Sequence, residues 1–317
     1  MCAEQLPLFP GDQPKGVYGP PVAERVGLTA GSSLSAAMER FHDHMLELEF
    51  AENTIKSFLG DLRLLKRYLK GGGAIGDIST RTLEGFLHWL RFERGQPCST
   101  KSYARRVTTL KVFFAWLAET GVLPGDPAAS IIHHKVQTPM PLILYDEQVE
   151  QVLAVCQQMM AGDKPDPRPS LLVSLILHTG IKKQECMAIK LSHLDLADAD
   201  GPVLYVRYEK SKMQYKERKL RLPAGWPRVL ARYREVYQPQ DLLFPCTPRN
   251  LEYVLADVAK LAGLPDGLSF EMLRWTCAVR DYRDRMDPER LRRKLGLSQI
   301  SWRETEPKIV KLAEPGL

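Results

Sequence analysis

The sequence predicts a mainly α-helical protein of two domains that carries one small β-hairpin sheet, and three observations predict it. A chain of 317 residues is too long for one ordinary core and suits two domains of roughly 100 to 200 residues each. Apolar residues recur at steps of three and four over most of the length, the period of helices with one buried face. One stretch, Val203-Leu204-Tyr205-Val206-Arg207-Tyr208, instead alternates and is rich in β-branched and aromatic residues, as a strand requires.

Residues 1–33 are rich in proline and glycine, show no sustained period, and read as a mobile arm. From Leu34 the helical period sets in. Ala37, Phe41, Met45 and Leu48 mark a first helix, and Ile55, Phe58, Leu62, Leu65 and Leu69 a second, closed by Gly71-Gly72-Gly73. Ser79-Thr80 can cap a third helix running through Trp89. Ser99-Thr100 can cap a fourth that carries Val107, Leu110, Phe113, Phe114 and Leu117 to a stop at Gly121. These four make a first domain over 34–132, followed by a linker over 133–145 containing His, Lys and Pro. A second domain is expected over 146–317: a helix at 146–160, a proline-rich loop, a helix from Ser170, the strand at 203–208 paired with 218–222, and helices from Trp226 onward. No internal repeat is visible.

Forty-four Lys plus Arg against 38 Asp plus Glu give a net charge of +6, a mild basic bias that permits nucleic-acid binding without demanding it. The six cysteines form no C-x-x-C pair and no ligand-like cluster with the seven histidines, so neither a zinc site nor a disulfide framework is indicated. No apolar run approaches the length of a membrane span, and the N-terminus lacks the order of a signal peptide. A cytoplasmic protein is expected.

The chemistry-bearing signal is the run Thr179-Gly180-Ile181-Lys182-Lys183-Gln184-Glu185, continuing to Leu191 and Asp195-Leu196, followed by Leu273-Arg274-Trp275-Thr276 and Leu295-Gly296-Leu297. It resembles the box I and box II frame of the tyrosine recombinases, the phage integrase family: T-G-x-R-x-x-E, then H-x-L-R-H-T, then L-G-H, then a nucleophilic tyrosine. The resemblance covers about 34–306. It implies a helical core-binding domain followed by a catalytic-type domain, the two closing as a clamp on duplex DNA. Most of the reactive letters are changed. Lys182 stands where the first arginine belongs, Glu271 for the box II histidine, Leu297 for the histidine of L-G-H, and a residue near Glu306 for the tyrosine; Arg274 alone is retained. No tyrosine lies between 283 and 317.

Attack on a phosphodiester needs a nucleophile, cations for the non-bridging oxygens and a proton donor for the leaving oxygen. Arginine grips phosphate with a planar fork, whereas Lys182 offers a point charge on a flexible stem. Glu271 repels phosphate and can pair with Arg274 at i, i+3. Leu297 donates nothing. For the family's hairpin lysine, Lys212 is the better match and Lys210 the next.

DNA binding needs none of these groups. The resemblance implies that first-domain helices enter the major groove, which points to Lys101, Arg105 and Arg106 on the fourth helix and Lys56 and Arg63 on the second. Lys182, Lys210, Lys212 and Arg274 are expected to reach the backbone; a solvated helix or hairpin face is the bland reading of each. The run Arg290, Arg292, Arg293, Lys294 is a further basic candidate, and the segment after Ile300 is expected to pack on a neighbouring protomer, as the family's does. In the arm, Gln5-Leu6-Pro7-Leu8-Phe9 resembles the peptide by which bacterial proteins dock on the DNA sliding clamp, with Leu8 and Phe9 as anchors.

The resemblance with its lost chemistry implies a catalytically silent DNA-binding protein in the bacterial nucleoid, an accessory factor or regulator in site-specific recombination or integration of a mobile element. The alternatives are an active but divergent recombinase and a protein-interaction module docking on the sliding clamp. Duplex DNA is the implied partner, with an active tyrosine recombinase or a second copy of the chain beside it. No cofactor, metal or membrane is implied.

Overall fold

The computed structural model describes residues 27–96, 98–132, 139–162 and 164–314, the side chain of Lys212 excepted. Two compact units divide the chain at Thr138 and Pro139. The arm motif at Gln5, Leu6, Leu8 and Phe9 lies outside the described residues.

In the first unit, α1 (Leu34–Glu47), α2 (Glu52–Tyr68), α3 (Thr80–Phe92) and α4 (Thr100–Glu119) surround one core. Ser33, Ser79 and Ser99 cap α1, α3 and α4, each accepting from a backbone N–H three residues on, which satisfies donors the first turn would leave open. Phe41 and Phe113 meet edge to face at 5.1 Å in the centre. The arm expected over 1–33 ends earlier than its composition suggests. Leu28 is buried in this core, and Ala30 O and Ser32 O accept from Gly76 N and Ile75 N.

The second unit is built around α6 (Arg168–Thr179), whose Leu171, Leu172, Val173, Leu175, Ile176 and Leu177 are all buried. A helix apolar on every side must be surrounded. α5 (Asp146–Ala161), α8 (Trp226–Tyr237), α9 (Pro248–Leu261) and α10 (Phe270–Arg283) pack against it. Leu144, placed in the linker by composition, is buried here, with its N–H donated to Thr276 Oγ1 at 2.9 Å.

The sheet is antiparallel in the order β1 (Leu194–Asp195), β2 (Val203–Val206), β3 (Arg218–Arg221). Strand β2 is shorter than its alternation, because the Tyr208 N–H leaves the ladder for the Glu217 carboxylate. Two further helices, α11 (Pro288–Lys294) and α12 (Gln299–Ala313), close the unit. α12 packs on α10 of its own chain and buries Trp302 and Ile309 there. Among the described residues no helix is long and apolar enough to cross a membrane.

Candidate functional site

The site is assembled where α6 stops. Gly180 takes the left-handed conformation at φ 59°, and a Cβ there would lie 2.8 Å from Leu295 Cδ2 and 3.3 Å from Cys277 Sγ. Only glycine lets the chain turn this close to α10 and the α11–α12 turn. The turn delivers Lys182 to the start of α7 (Lys183–Met187), and Glu185 reaches back to accept from Lys182 N at 2.8 Å.

Glu185 is buried and multiply bonded. Arg218 of β3 donates to both of its oxygens, at 3.0 and 2.9 Å, and the Tyr208 hydroxyl donates to Oε1. Burial alone would raise the carboxyl; the Arg218 fork, the Lys182 amide and Tyr208 outweigh it and hold the group at about 2. Burial likewise pushes the Tyr208 hydroxyl up to about 12. No local pattern announces this Arg218–Glu185 pair, since its members lie 33 residues apart. The glutamate of box I was the only available signal.

Four cations converge on four consecutive carbonyls of the α11–α12 turn. Arg218 Nε donates to Lys294 O at 2.7 Å, Arg274 to Leu295 O at 2.6 Å, Lys182 Nζ to Gly296 O at 3.1 Å, and Arg292 to Leu297 O at 2.5 Å. A helix C-terminus is electronegative, so it is a natural seat for cations. Arg274 also donates to Gly180 O. Burial pushes its guanidinium down to about 10, still charged at neutral pH. Burial, with Arg274 nearby, pushes the Lys182 ammonium down to about 8 against the pull of Glu185.

Beside this knot opens a cleft of about 670 Å³, lined by Lys182, Lys183, Glu271, Arg274, Leu297 and Thr305 over a floor that includes Phe270 and Trp275. Lys182, Glu271, Arg274 and Leu297 thus meet in one place, with two corrections. Glu271 is exposed and forms no ion pair with Arg274, whose donors go to backbone carbonyls instead. On α12 it is Thr305 that lines the cleft; Glu306 is half-buried and does not. The Thr305 hydroxyl donates to Ser301 O at 2.8 Å.

The surface candidates divide. Arg106 is buried, and both it and Arg105 bind the buried Asp61, at 3.4 and 2.7 Å, with Thr109 Oγ1 donating to the same carboxylate. They hold α4 to α2; Arg106 is enclosed there, while the Arg105 side chain stays 39% exposed. Lys56 is exposed and pairs with Glu52. Arg63, Lys101 and Lys210 are exposed without an ion-pair partner among the described residues. In the basic run of α11, Arg292 and Arg293 pair with Glu289, and Lys294 with Asp281. Lys212 falls in the hairpin's 3₁₀ stretch, its side chain outside the described atoms.

Residues 38–121 match the phage integrase N-terminal SAM-like domain and residues 143–303 the phage integrase family. The chain is 28% identical over 166 residues to the tyrosine recombinase XerC of Mycobacterium tuberculosis (strain ATCC 25177 / H37Ra), covering 51% of this chain and 54% of that protein. It is 31% identical over 170 residues to XerC of Mycobacterium leprae (strain TN), covering 52% and 54%. The chain thus spans about half the length of the curated relatives it matches. Among solved structures it is similar to a lambda integrase dimer bound to a COC′ core site (TM-score 0.66, 16% identity, 92% of this chain and 81% of that one). It is also similar to the Tn1549 transposon integrase in complex with a circular intermediate DNA (TM-score 0.67, 17% identity, 89% and 99%). At such identities the likeness is one of fold.

Proposed function

This chain belongs to the phage integrase family, and from that premise we propose that it binds duplex DNA without cutting it, as an accessory factor or regulator of site-specific recombination. The observation that carries this reading is the fate of the cations at the cleft. Lys182 and Arg274 direct donors at Gly296 O, Leu295 O and Gly180 O, while Glu271 adds negative charge to the cleft wall and Leu297 offers no proton. Thr305, where the fold presents a side chain from α12, has its hydroxyl turned to its own helix. A phosphate entering here meets less positive charge and no tyrosine.

Binding rests on other groups. Phosphate affinity arises from exposed cations that release counterions, and Arg63, Lys101 and Lys210 are free to supply it. The partner in recombination would be an active tyrosine recombinase or a second copy of this chain, acting in the bacterial nucleoid.

The test is a mobility shift on duplex DNA from the chain's own locus, run natively and after SDS. A native shift that resists competitor DNA and vanishes in SDS is the expected result. An SDS-resistant band would show a covalent adduct and overturn the silent reading in favour of a divergent recombinase. Absence of any shift at moderate salt would remove DNA binding and leave a protein-interaction role.

A further inference from the structure

The β2–β3 hairpin ends in a 3₁₀ stretch, Ser211–Lys216, with an aromatic ring at its tip. Tyr215 is 69% exposed, more than any other aromatic side chain among the described residues. Other exposed rings are held by neighbours. Arg249 stacks on Tyr253 and donates to its hydroxyl, and Arg91 and His88 cover Phe92. Among the described side chains, the ring contact of Tyr215 is with the adjacent Lys216, 5.2 Å from its centroid.

The charges of the hairpin are also unevenly distributed. Along its strands Arg207, Lys219 and Arg221 are neutralised by Glu217, Asp198 and Asp200. At the tip Lys210 and Lys216 have no ion-pair partner among the described residues. An unpacked ring between unpaired lysines is poorly explained as core or as solvated surface. It suits a ligand that offers a flat apolar face flanked by anions, and stacked bases between phosphates are such a ligand.

We infer that Tyr215 is a wedge, inserting its ring at a base step from the minor groove while Lys210 and Lys216 hold the flanking phosphates. The inference rests on the DNA-binding reading above and adds how the duplex is distinguished. A wedge opens a stacked step, so it favours steps that unstack easily, such as pyrimidine–purine steps, and selects sequence by deformability instead of base edges.

The experiment uses the full chain and a duplex selected by it from a randomised pool, with 2-aminopurine placed at successive positions. The chain is expected to brighten the probe at one step. Tyr215→Ala is expected to abolish the brightening and weaken binding about tenfold with the salt dependence unchanged, and Tyr215→Phe to preserve both. Lys210→Ala is expected to keep the brightening while lowering the salt slope by about one. A Tyr215→Ala protein that binds and unstacks like the parent overturns the wedge, and so does a Tyr215→Phe protein as defective as Tyr215→Ala, because the hydroxyl would then be the contact. If selection yields no bound duplex, the DNA-binding reading falls before any variant is made and takes the wedge with it. The exposure of Tyr215 leaves the fold indifferent to these changes, which circular dichroism checks.

Discussion

Glu185 draws together three parts of the second unit: it accepts from the Lys182 amide, the Tyr208 hydroxyl and the Arg218 fork. Its pKa falls from an ordinary 4.5 to about 2 in the fold, so folding favours the ionised form. The resulting contribution, on the order of 3 kcal/mol, is present above pH 4.5 and lost as pH falls from there toward 2. Urea unfolding followed across this window should show that loss. A Glu185→Gln chain should lack it and be less stable at neutral pH by about 3–5 kcal/mol, because Arg218 is left buried without its counter-charge. The role of Glu185 was legible only as a letter in a motif. That Arg218 is its partner depends on how β3 packs beside α6 and α11, which no local pattern encodes.

Among the elements, α4 shows where periodicity misleads. Its apolar stripe placed the helix correctly, but the buried face also takes in Arg106 and Thr109. The helix packs on both α2 and α3, so more of its circumference is enclosed than a single stripe implies. An arginine can go inside when an acid 45 residues away meets it, and Asp61 does. Asp61→Ala is therefore expected to destabilise the first unit by about 3–5 kcal/mol. Lys101→Ala, on the exposed side, is expected to leave its melting unchanged while weakening DNA binding and lowering the salt slope by about one. Thermal melts and salt titrations of the two variants separate the roles. The short β1 and the 3₁₀ hairpin tip escaped prediction for a related reason: two or six residues carry too little pattern to read.

On the scale of the whole molecule, each unit keeps a core of its own. Scanning calorimetry of the variants should reflect this, with Asp61→Ala lowering only the first unit's transition and Glu185→Gln only the second's. The mainly helical architecture was legible because repeated 3.6-residue patterns and serine caps are local signals. The cis packing of α12 was not, since Trp302 and Ile309 would present the same apolar face to a neighbour's surface as to their own.

The four cations gathered on the carbonyls of residues 294–297 make that turn a resident rival for any incoming phosphate. A carbonyl oxygen and a phosphate oxygen ask for the same N–H groups, so occupancy by one is vacancy for the other. Whatever tightens the turn raises the threshold an anion must exceed, and by reciprocity an anion that takes Lys182 or Arg274 loosens the turn and the start of α12 with it. The protein carries, in its own backbone, a tethered competitor for any anion that reaches Lys182 or Arg274.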